Sequence, residues 1–289
     1  MAYHDILIPN LGAQAVEQAL VQVMDKNEDQ FRSNREQLVD FYYGQGTDKD
    51  EYLKEYFNTE TDSTKDADYP HNLILSQANI TAKIIDKKAK NYITQPVRMI
   101  DGEASENYNQ ILLDAGIKSS SKQMDRFTWL LGDQCTIIIA DERRETLRIE
   151  NPPYFRPIFE NGRNLDPVGV IYPVGMMKNK KGEMVEAWQY WDEESSALFE
   201  HGTWNIISEG ENPHGCFNVL FSHRTKPSRG FWTQDAQDLI DGNRDINIAL
   251  TSINNAMRIQ GFPNLVFLGV DPKEVQKIKI RWDKAIGAT

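Results

Sequence analysis

Hydrophobic residues recur at helical spacing in the first and last parts of the chain and at strand spacing between them. The early periodic stretches predict helices over 13–41 and 73–94, and Asn72 is placed to cap the second. The segment between them, over 47–70, is polar and acidic and predicts an exposed loop. Two shorter helices follow, and Ser105 can cap the first of these.

From Cys135 onward the pattern changes to that of short β-strands. Residues 135–140 form a continuous apolar run of strand length, and five prolines between 151 and 174 break the next region into short pieces. The polar residues at 179–183 predict a hairpin turn between two apolar strands. Further short strands are predicted at 197–200, 204–208 and 216–221. The middle of the chain, about 133–223, is therefore expected to be a mostly antiparallel β module between helical segments.

The stretch over 233–260 predicts one long amphipathic helix. Its apolar residues fall in one narrow sector, which holds Leu239, Ile246, Leu250, Ile253 and Met257. One flank of the helix is acidic, with Asp235, Asp238, Asp241 and Asp245. The other flank is amide-rich and basic, with Asn243, Arg244, Asn247, Asn254 and Arg258.

Opposite flanks of this kind allow the helix to pair side by side with a copy of itself. We expect Asp238 and Asp245 of one copy to approach Arg244 or Arg258 of the next, a head-to-tail contact that closes into a ring. Exposed ion pairs contribute only about 0–1 kcal/mol each, so apolar contact through Leu250, Ile253 and Met257 should supply most of the association. The alternative is a solvated amphipathic helix in a monomer.

Composition narrows the class of protein. The chain has 289 residues, 40% of them hydrophobic and 26% charged, as in an ordinary globular protein. No apolar run reaches the roughly 18 residues that span a bilayer, and the N-terminus lacks a secretory signal pattern. Two cysteines, Cys135 and Cys216, exclude a disulfide framework. A net charge of −11 argues against tight DNA coating and suits a surface past which DNA slides.

Candidate chemistry is sparse. The sequence contains no phosphate-binding loop, no serine nucleophile elbow and no zinc-protease motif. A histidine- and cysteine-containing region, with His201, His214, Cys216 and His223, is the one place for a nucleophilic pair or a metal, but its spacing supports neither. We therefore predict a protein that is not an enzyme, with no catalytic residue, no metal and no cofactor.

The densest basic cluster lies just before the long helix and contains Arg224, Lys226 and Arg229. Such a cluster contacts DNA phosphate or the acidic flank of a neighbouring protein. The alternative is a solvated turn.

Three stretches, taken in order, resemble the portal proteins of tailed bacteriophages. They are NLILSQANITAKIIDKKAKNYITQPVRM, LLGDQCTIIIADERRETLRIENPPYFRPIFE and the segment 217–271. In the last stretch the family's pattern is matched by Leu239, Ile240, Asp241, Asn243, Ser252, Asn255, Pro263 and Gly269. The chain departs from the pattern at His223, where Asn is common, and at Trp232 and Thr233, where Ser and Asp are common.

The resemblance implies an α+β portal architecture: a helical wing region over 1–132, a β-rich wing module over 133–225, a stem helix over 226–260 and the start of a small α/β clip over 261–289. A second stem helix, a tunnel loop and a helical crown follow the clip in that family. The chain stops before these parts and is interpreted as truncated.

The resemblance also implies function. Portal subunits form a ring, commonly a dodecamer, at one capsid vertex of the virion, and they assemble in the host cytoplasm. The ring contacts capsid and scaffolding proteins, docks the terminase motor and the head–tail adaptor, and passes double-stranded DNA through its channel. Two other hypotheses stay open: another virion structural protein, such as an adaptor or baseplate component, and a hydrolase or nuclease that uses the His201–His223 region.

Overall fold

The computed structural model describes residues 6–8, 28–44, 51–62, 75–91, 99–100, 102–141, 146–160, 165–228 and 230–260. Within these ranges the protein is a mixed α+β structure. The helices are α1 (Glu28–Tyr43), α2 (Glu51–Asp62), α3 (Ile80–Lys88), α4 (Glu106–Asp114), α5 (Ile117–Leu131) and α6 (Gln237–Gln260). The strands are β1 (Ile6–Ile8), β2 (Met99–Ile100), β3 (Glu103–Ala104), β4 (Asp133–Asp141), β5 (Thr146–Glu150), β6 (Arg156–Glu160), β7 (Pro167–Lys178), β8 (Met184–Asp192), β9 (Ser195–Glu200), β10 (Ile206–Glu211) and β11 (Val219–His223).

The predicted antiparallel β module is confirmed. A six-stranded sheet has the order β1-β6-β7-β8-β9-β10, and a three-stranded sheet has the order β11-β4-β5. The hairpin turn predicted at 179–183 joins β7 to β8. One pairing was not predicted: β1, from the start of the chain, runs parallel to β6. Such a pairing joins residues about 150 positions apart, and local periodicity carries no signal of it.

The central part of the six-stranded sheet buries both of its faces, because consecutive apolar side chains along its strands point to opposite sides. One face carries Trp188, Tyr190 and Phe199 and packs against Phe31 of α1. The opposite face carries Val170, Tyr172 and Trp191 and packs against Cys135, Phe155 and Phe231. Helix α1 and residues of the three-stranded sheet thus contact opposite faces of the central sheet.

The acidic segment predicted as a loop contains a helix, so that prediction is wrong for residues 51–62. The helix, α2, forms because it has an apolar side: Leu53 is fully buried and α2 contacts α6. Lys54 and Glu55 of this helix are exposed, and the many charged residues of the segment made its composition resemble that of a loop.

The helix predicted over 73–94 is shorter than expected. Residues 75–79 are not helical, α3 begins at Ile80, and its cap is Asn79 and not Asn72, with the Asn79 side chain accepting from the Ala82 N–H. Backbone groups of residues 76–80 are bonded to side chains of α6, which removes them from a helical ladder. Ser105 caps α4 as predicted.

Three other element boundaries differ from the prediction. β10 begins at Ile206, because Trp204 takes a left-handed turn conformation with φ of 56°. β11 begins at Val219. The long helix begins at Gln237 and not at residue 233. The part of the first predicted helix that precedes Glu28 lies outside the described residues, as does the segment 261–289.

Arg35 ties α1 to the β module. Its side chain is 3% exposed and donates to the backbone carbonyls of Pro153 and Asp133, each at 2.7 Å, and of Leu131 at 3.5 Å. The guanidinium also lies over the ring of Phe155, at 5.4 Å from its centroid. The N–H groups of a guanidinium point in several directions, so one arginine can bond to three carbonyls that come from different parts of the chain.

Arg35→Leu is expected to lower the free energy of unfolding by about 2–4 kcal/mol, because it leaves buried carbonyls without donors. The matched variant is Arg32→Leu, one turn away. Arg32 is partly exposed and forms ion pairs with Glu36 and Glu186, so its loss should cost less than about 1 kcal/mol. Urea denaturation of both variants measures this, and equal losses would contradict the role given to Arg35.

The two cysteines are free and differ in environment. Cys135 is buried, and burial raises the pKa of its thiol well above the usual value, whereas Cys216 is exposed. Since the thiolate is the reactive form, we expect a disulfide-exchange reagent to label one thiol per native chain at neutral pH. In denaturant it should label both. Rapid labelling of both thiols in the native protein would contradict the burial of Cys135 in β4.

Candidate assembly surface

Three polar side chains, one helical turn apart, hold α6 against the rest of the subunit. Asn243, Asn247 and Thr251 are each 3% exposed or less and face the extended segment 76–80. We call these three residues the polar ladder. Asn243 carries the most bonds: its Oδ1 accepts from the N–H groups of Ile80 at 2.7 Å and Thr81 at 2.8 Å.

Each side chain of the polar ladder both donates and accepts a hydrogen bond. The Nδ2 of Asn243 donates to the carbonyl of Ala78 at 2.8 Å, and the Oδ1 of Asn247 accepts from the Ala78 N–H at 2.8 Å. The Nδ2 of Asn247 donates to the hydroxyl of Tyr52 in α2. Thr251 accepts from the Ser76 N–H at 2.9 Å and donates to the Ser76 carbonyl at 3.3 Å.

The match between ladder and segment has a geometric basis. Four residues of an α-helix rise about 6.0 Å, and two residues of extended chain rise about 6.6 Å. Residues 76, 78 and 80 therefore meet residues 251, 247 and 243 in succession, with the segment running opposite to the helix. Because each ladder side chain replaces a backbone partner, the segment stays extended until Ile80 begins α3.

A second polar junction fixes the point where the chain enters α6. Asp133 is 1% exposed, and its Oδ1 lies 2.7 Å from Nδ1 of His223. Its Oδ2 accepts from the N–H of Thr233 at 2.7 Å, and the Thr233 hydroxyl donates to the Gly132 carbonyl at 2.8 Å. Gly132 has a φ of 82°, and a Cβ there would lie 2.7 Å from the carbonyl oxygen of Gln234, so only glycine fits.

This junction contains residues at which the chain departs from the pattern that it resembles. His223 and Thr233, two of the unusual residues, share the same carboxylate of Asp133. Trp232, the third, packs against the rings of Phe155 and Phe231. His223 and Trp232 both contact the ring of Phe231, so the three residues belong to one cluster.

A second side of α6, about a quarter turn round the helix from the polar ladder, is exposed and partly apolar. Ile246, Ile253 and Met257 are 42%, 54% and 65% exposed, while Leu250 is half-buried. Large apolar residues at 239, 246 and 253 alternate with small ones at 242, 249 and 256, with spacings of three and four residues. This is the spacing of a helix that packs along a second helix. We call these six positions the apolar seam.

The acidic residues of α6 lie beside the apolar seam. Asp238, Asp241 and Asp245 are all exposed. The opposite flank, which we expected to meet a neighbouring copy, is largely used within the subunit, because its amides Asn243 and Asn247 belong to the polar ladder. Asn254 also donates to the hydroxyl of Ser76.

Arg244 is partly engaged within the subunit as well. Its guanidinium lies over the rings of Phe41 and Tyr52, at 5.7 Å and 5.6 Å from their centroids, and 3.6 Å from Asp241. The side chain of Arg258 lies outside the described part of the chain, so its predicted pairing with an acidic flank stays a prediction.

Of the predicted basic cluster, Arg224 donates to the backbone carbonyl of Asp235 at 3.2 Å, which places it at the start of α6. Lys226 is exposed to solvent. Arg229 lies outside the described residues. The arrangement leaves Lys226 free to contact an anionic partner.

The histidine-containing region does not converge on one point. His201 stacks on Trp188 with ring centroids 5.4 Å apart, His214 lies against Trp191, and His223 pairs with Asp133. Cys216 is exposed. Among the residues that the structure describes, no three His, Cys, Asp or Glu side chains are grouped so as to hold a metal ion.

Comparison with protein-family models and with curated proteins gives no match for this chain. In the described ranges no helix combines the length and the apolar character needed to cross a bilayer.

Asn243→Leu is expected to lower the free energy of unfolding by about 3 kcal/mol, since it leaves the N–H of Thr81 without a partner and leaves the Ile80 N–H and the Ala78 carbonyl only their 3.0 Å contact with each other. Hydrogen exchange at those two amides should accelerate. The control is Asn254→Leu, an exposed position on the same helix, expected to change stability by less than about 1 kcal/mol. Unchanged protection of Ile80 and Thr81 in the Asn243 variant would refute the polar ladder.

Proposed function

We propose that the chain is a structural subunit of a phage portal ring and that α6 is a stem helix that packs against its copies. One observation carries the proposal: α6 satisfies its polar ladder inside the subunit and exposes the large apolar side chains of Ile246, Ile253 and Met257. An amphipathic helix in a monomer normally buries its apolar side and exposes its polar side. In α6 the polar ladder is buried together with Ala236 and Ile240, and the acidic flank is exposed, but Ile246, Ile253 and Met257 are exposed as well.

An exposed apolar stripe on a helix indicates that another protein surface covers it. Each square ångström of apolar surface removed from water contributes roughly 25 cal/mol, so covering Ile246, Ile253 and Met257 favours association. The large–small alternation along the apolar seam suits a second helix of the same sequence. A surface that packs on a different surface of an identical copy generates a ring when the rotation closes.

The acidic residues fit the passage of DNA. Asp238, Asp241 and Asp245 lie next to the apolar seam, so a neighbouring helix that covers the seam leaves them at the border of the contact. If they face a central channel, their charge repels DNA phosphate and prevents the duplex from adhering. Their expected pairing with Arg258 of a neighbour would instead fix the register of the ring.

The remaining roles follow from the resemblance. In this proposal the ring lies at one vertex of the capsid in the virion, contacts capsid and scaffolding proteins, and docks the terminase motor and the head–tail adaptor. The basic residue Lys226, next to the start of α6, is a candidate contact for DNA or for an acidic partner. The twelvefold copy number also comes from the resemblance.

Ile253→Asp is expected to abolish closed rings while leaving the subunit folded, because it places a charge in the apolar seam. The matched control is Leu113→Asp in α4, where the native side chain is 53% exposed, compared with 54% for Ile253. Native mass spectrometry and negative-stain microscopy measure the assembly, and circular dichroism checks the fold. Rings that persist in the Ile253 variant, or that disappear equally in the Leu113 variant, would reject α6 as the contact.

A further inference from the structure

The hairpin of β7 and β8 extends beyond the rest of the six-stranded sheet. The pairing of β6 with β7 ends at Ile171, and the pairing of β9 with β8 ends at Ala187. Residues 174–185 therefore form a two-stranded ribbon with no neighbouring strand among the described residues. We call this ribbon the β-arm. A two-stranded ribbon is marginally stable alone, so such an arm is typically stabilised by a surface that covers it.

The β-arm is apolar along its strands and basic at its tip. Met176 and Met184 are 61% and 55% exposed, and Val174 and Met177 are exposed as well. Lys178, Lys180 and Lys181 are exposed, and none forms an ion pair with another residue in the described part of the chain. Methionine adapts its shape to a partner surface, which makes this a suitable docking element.

The tip of the β-arm has a defined shape. The Asn179 side chain accepts from the N–H groups of Lys181 at 2.9 Å and Glu183 at 3.0 Å, and it donates to the Glu183 carboxylate at 3.1 Å. Gly182 supplies the φ of 84° that the turn needs. The lysines are therefore presented on an ordered turn, which lowers the entropic cost of docking.

An acidic cleft lies at the opposite end of the same sheet. It is open, has a volume of about 800 Å³, and is formed by the β8–β9 turn together with the end of β10 and the residues that follow. Four exposed glutamates line it: Glu193, Glu194, Glu209 and Glu211. The other lining residues are small or neutral, including Ser195, Ser196, Gly210 and Gly215.

The rim of the acidic cleft is held by hydrogen bonds. Asp192 accepts from the hydroxyls of Tyr190 and Ser195 and from the N–H of Glu194. Asn212 donates to the carbonyls of Asp192 at 2.7 Å and Cys216 at 2.9 Å. The glutamates thus project from a fixed frame, and they form no ion pair within the described ranges.

The β-arm cannot reach the cleft of its own subunit. The two features lie at opposite ends of β8, from Met184 to Asp192, which is a separation of about 27 Å along a strand. A basic tip and an acidic cleft on one rigid sheet are therefore complementary only between different molecules.

We propose that the β-arm of one copy docks in the acidic cleft of a second copy, with lysines facing glutamates and methionines covering the sheet edge beside β10. The contact is head-to-tail, so it leads to a ring or an open chain. It names a second contact between copies of the proposed portal subunit, but it rests on the sheet and not on α6. Opposite charges steer and orient such a contact. Added salt weakens the contact, because it screens charges that lie farther apart than the Debye length, about 8 Å at physiological ionic strength.

Cross-linking tests the geometry directly. Lys181→Cys places a thiol on the arm tip, and the native Cys216, which is exposed, lies next to Gly215 in the cleft wall. We expect a short bifunctional maleimide to produce a ladder of covalent dimers, trimers and larger species. Adding Cys216→Ser should remove the ladder. The matched control is Lys118→Cys on α5, an exposed lysine away from both features.

Charge exchange tests the energetics. Reversal of the three arm lysines to Glu, or of Glu209 and Glu211 to Lys, should each raise the concentration for half-assembly about tenfold or more. Combining both reversals in one chain should restore assembly, because the opposite charges face each other again. Reversal of Lys83, Lys87 and Lys118, which are exposed on α3 and α5, is the control for net charge.

The outcomes separate this inference from the proposed function. A covalent ladder without closed rings supports the arm contact and contradicts the portal ring. Closed rings without a ladder, or a ladder no stronger than that of the Lys118 control, overturn the arm contact and leave the role of α6 untouched. A charge exchange that fails to restore assembly also overturns it.

Discussion

The polar ladder is the interaction on which the arrangement of this protein depends. Asn243, Asn247 and Thr251 bury amide and hydroxyl groups that would be costly to leave unpaired. All three find backbone partners in one short extended segment. Because these bonds use specific backbone groups at specific turns of α6, they fix both the rotation of the helix about its axis and its position along that axis.

That rotation decides which side of α6 is available to other molecules. With the polar ladder inward, Ile246, Ile253 and Met257 face outward, and the acidic residues lie beside them. The junction of Asp133, His223 and Thr233 adds a second constraint at the base of the helix. A helix held at its base and along its length is well suited to act as a rigid element in a larger assembly.

Several parts of the fold follow from the sequence because their signals are local. The cap at Ser105, the hairpin turn at 179–183 and the strand at 135–140 each depend on residues close together in the chain. Other parts depend on distant partners. The extended segment before Ile80 has a helical pattern, and only its bonds to Asn243 and Asn247 explain why it is not a helix.

The candidate surfaces also combine features that local sequence predicts with features that depend on distant parts of the chain. Periodicity identified the apolar sector of α6 and its acidic neighbours, but it did not show that the amide flank would turn inward, since asparagine side chains are ordinarily solvated. The apolar strand pattern of β7 gave no warning that Met176 would be exposed, because exposure there results from the strands that fail to extend beside it. The described residues form an α+β structure, and the portal ring is a proposal built on the resemblance and on the orientation of α6.

Electron microscopy of the assembled particle tests the central claim most directly, because it shows which side of α6 meets another molecule. Our account predicts a closed symmetric ring in which the apolar seam packs on a neighbouring copy and the polar ladder remains inside each subunit. A monomeric particle, or a ring in which Asn243 and Asn247 lie in the contact between copies, would contradict it.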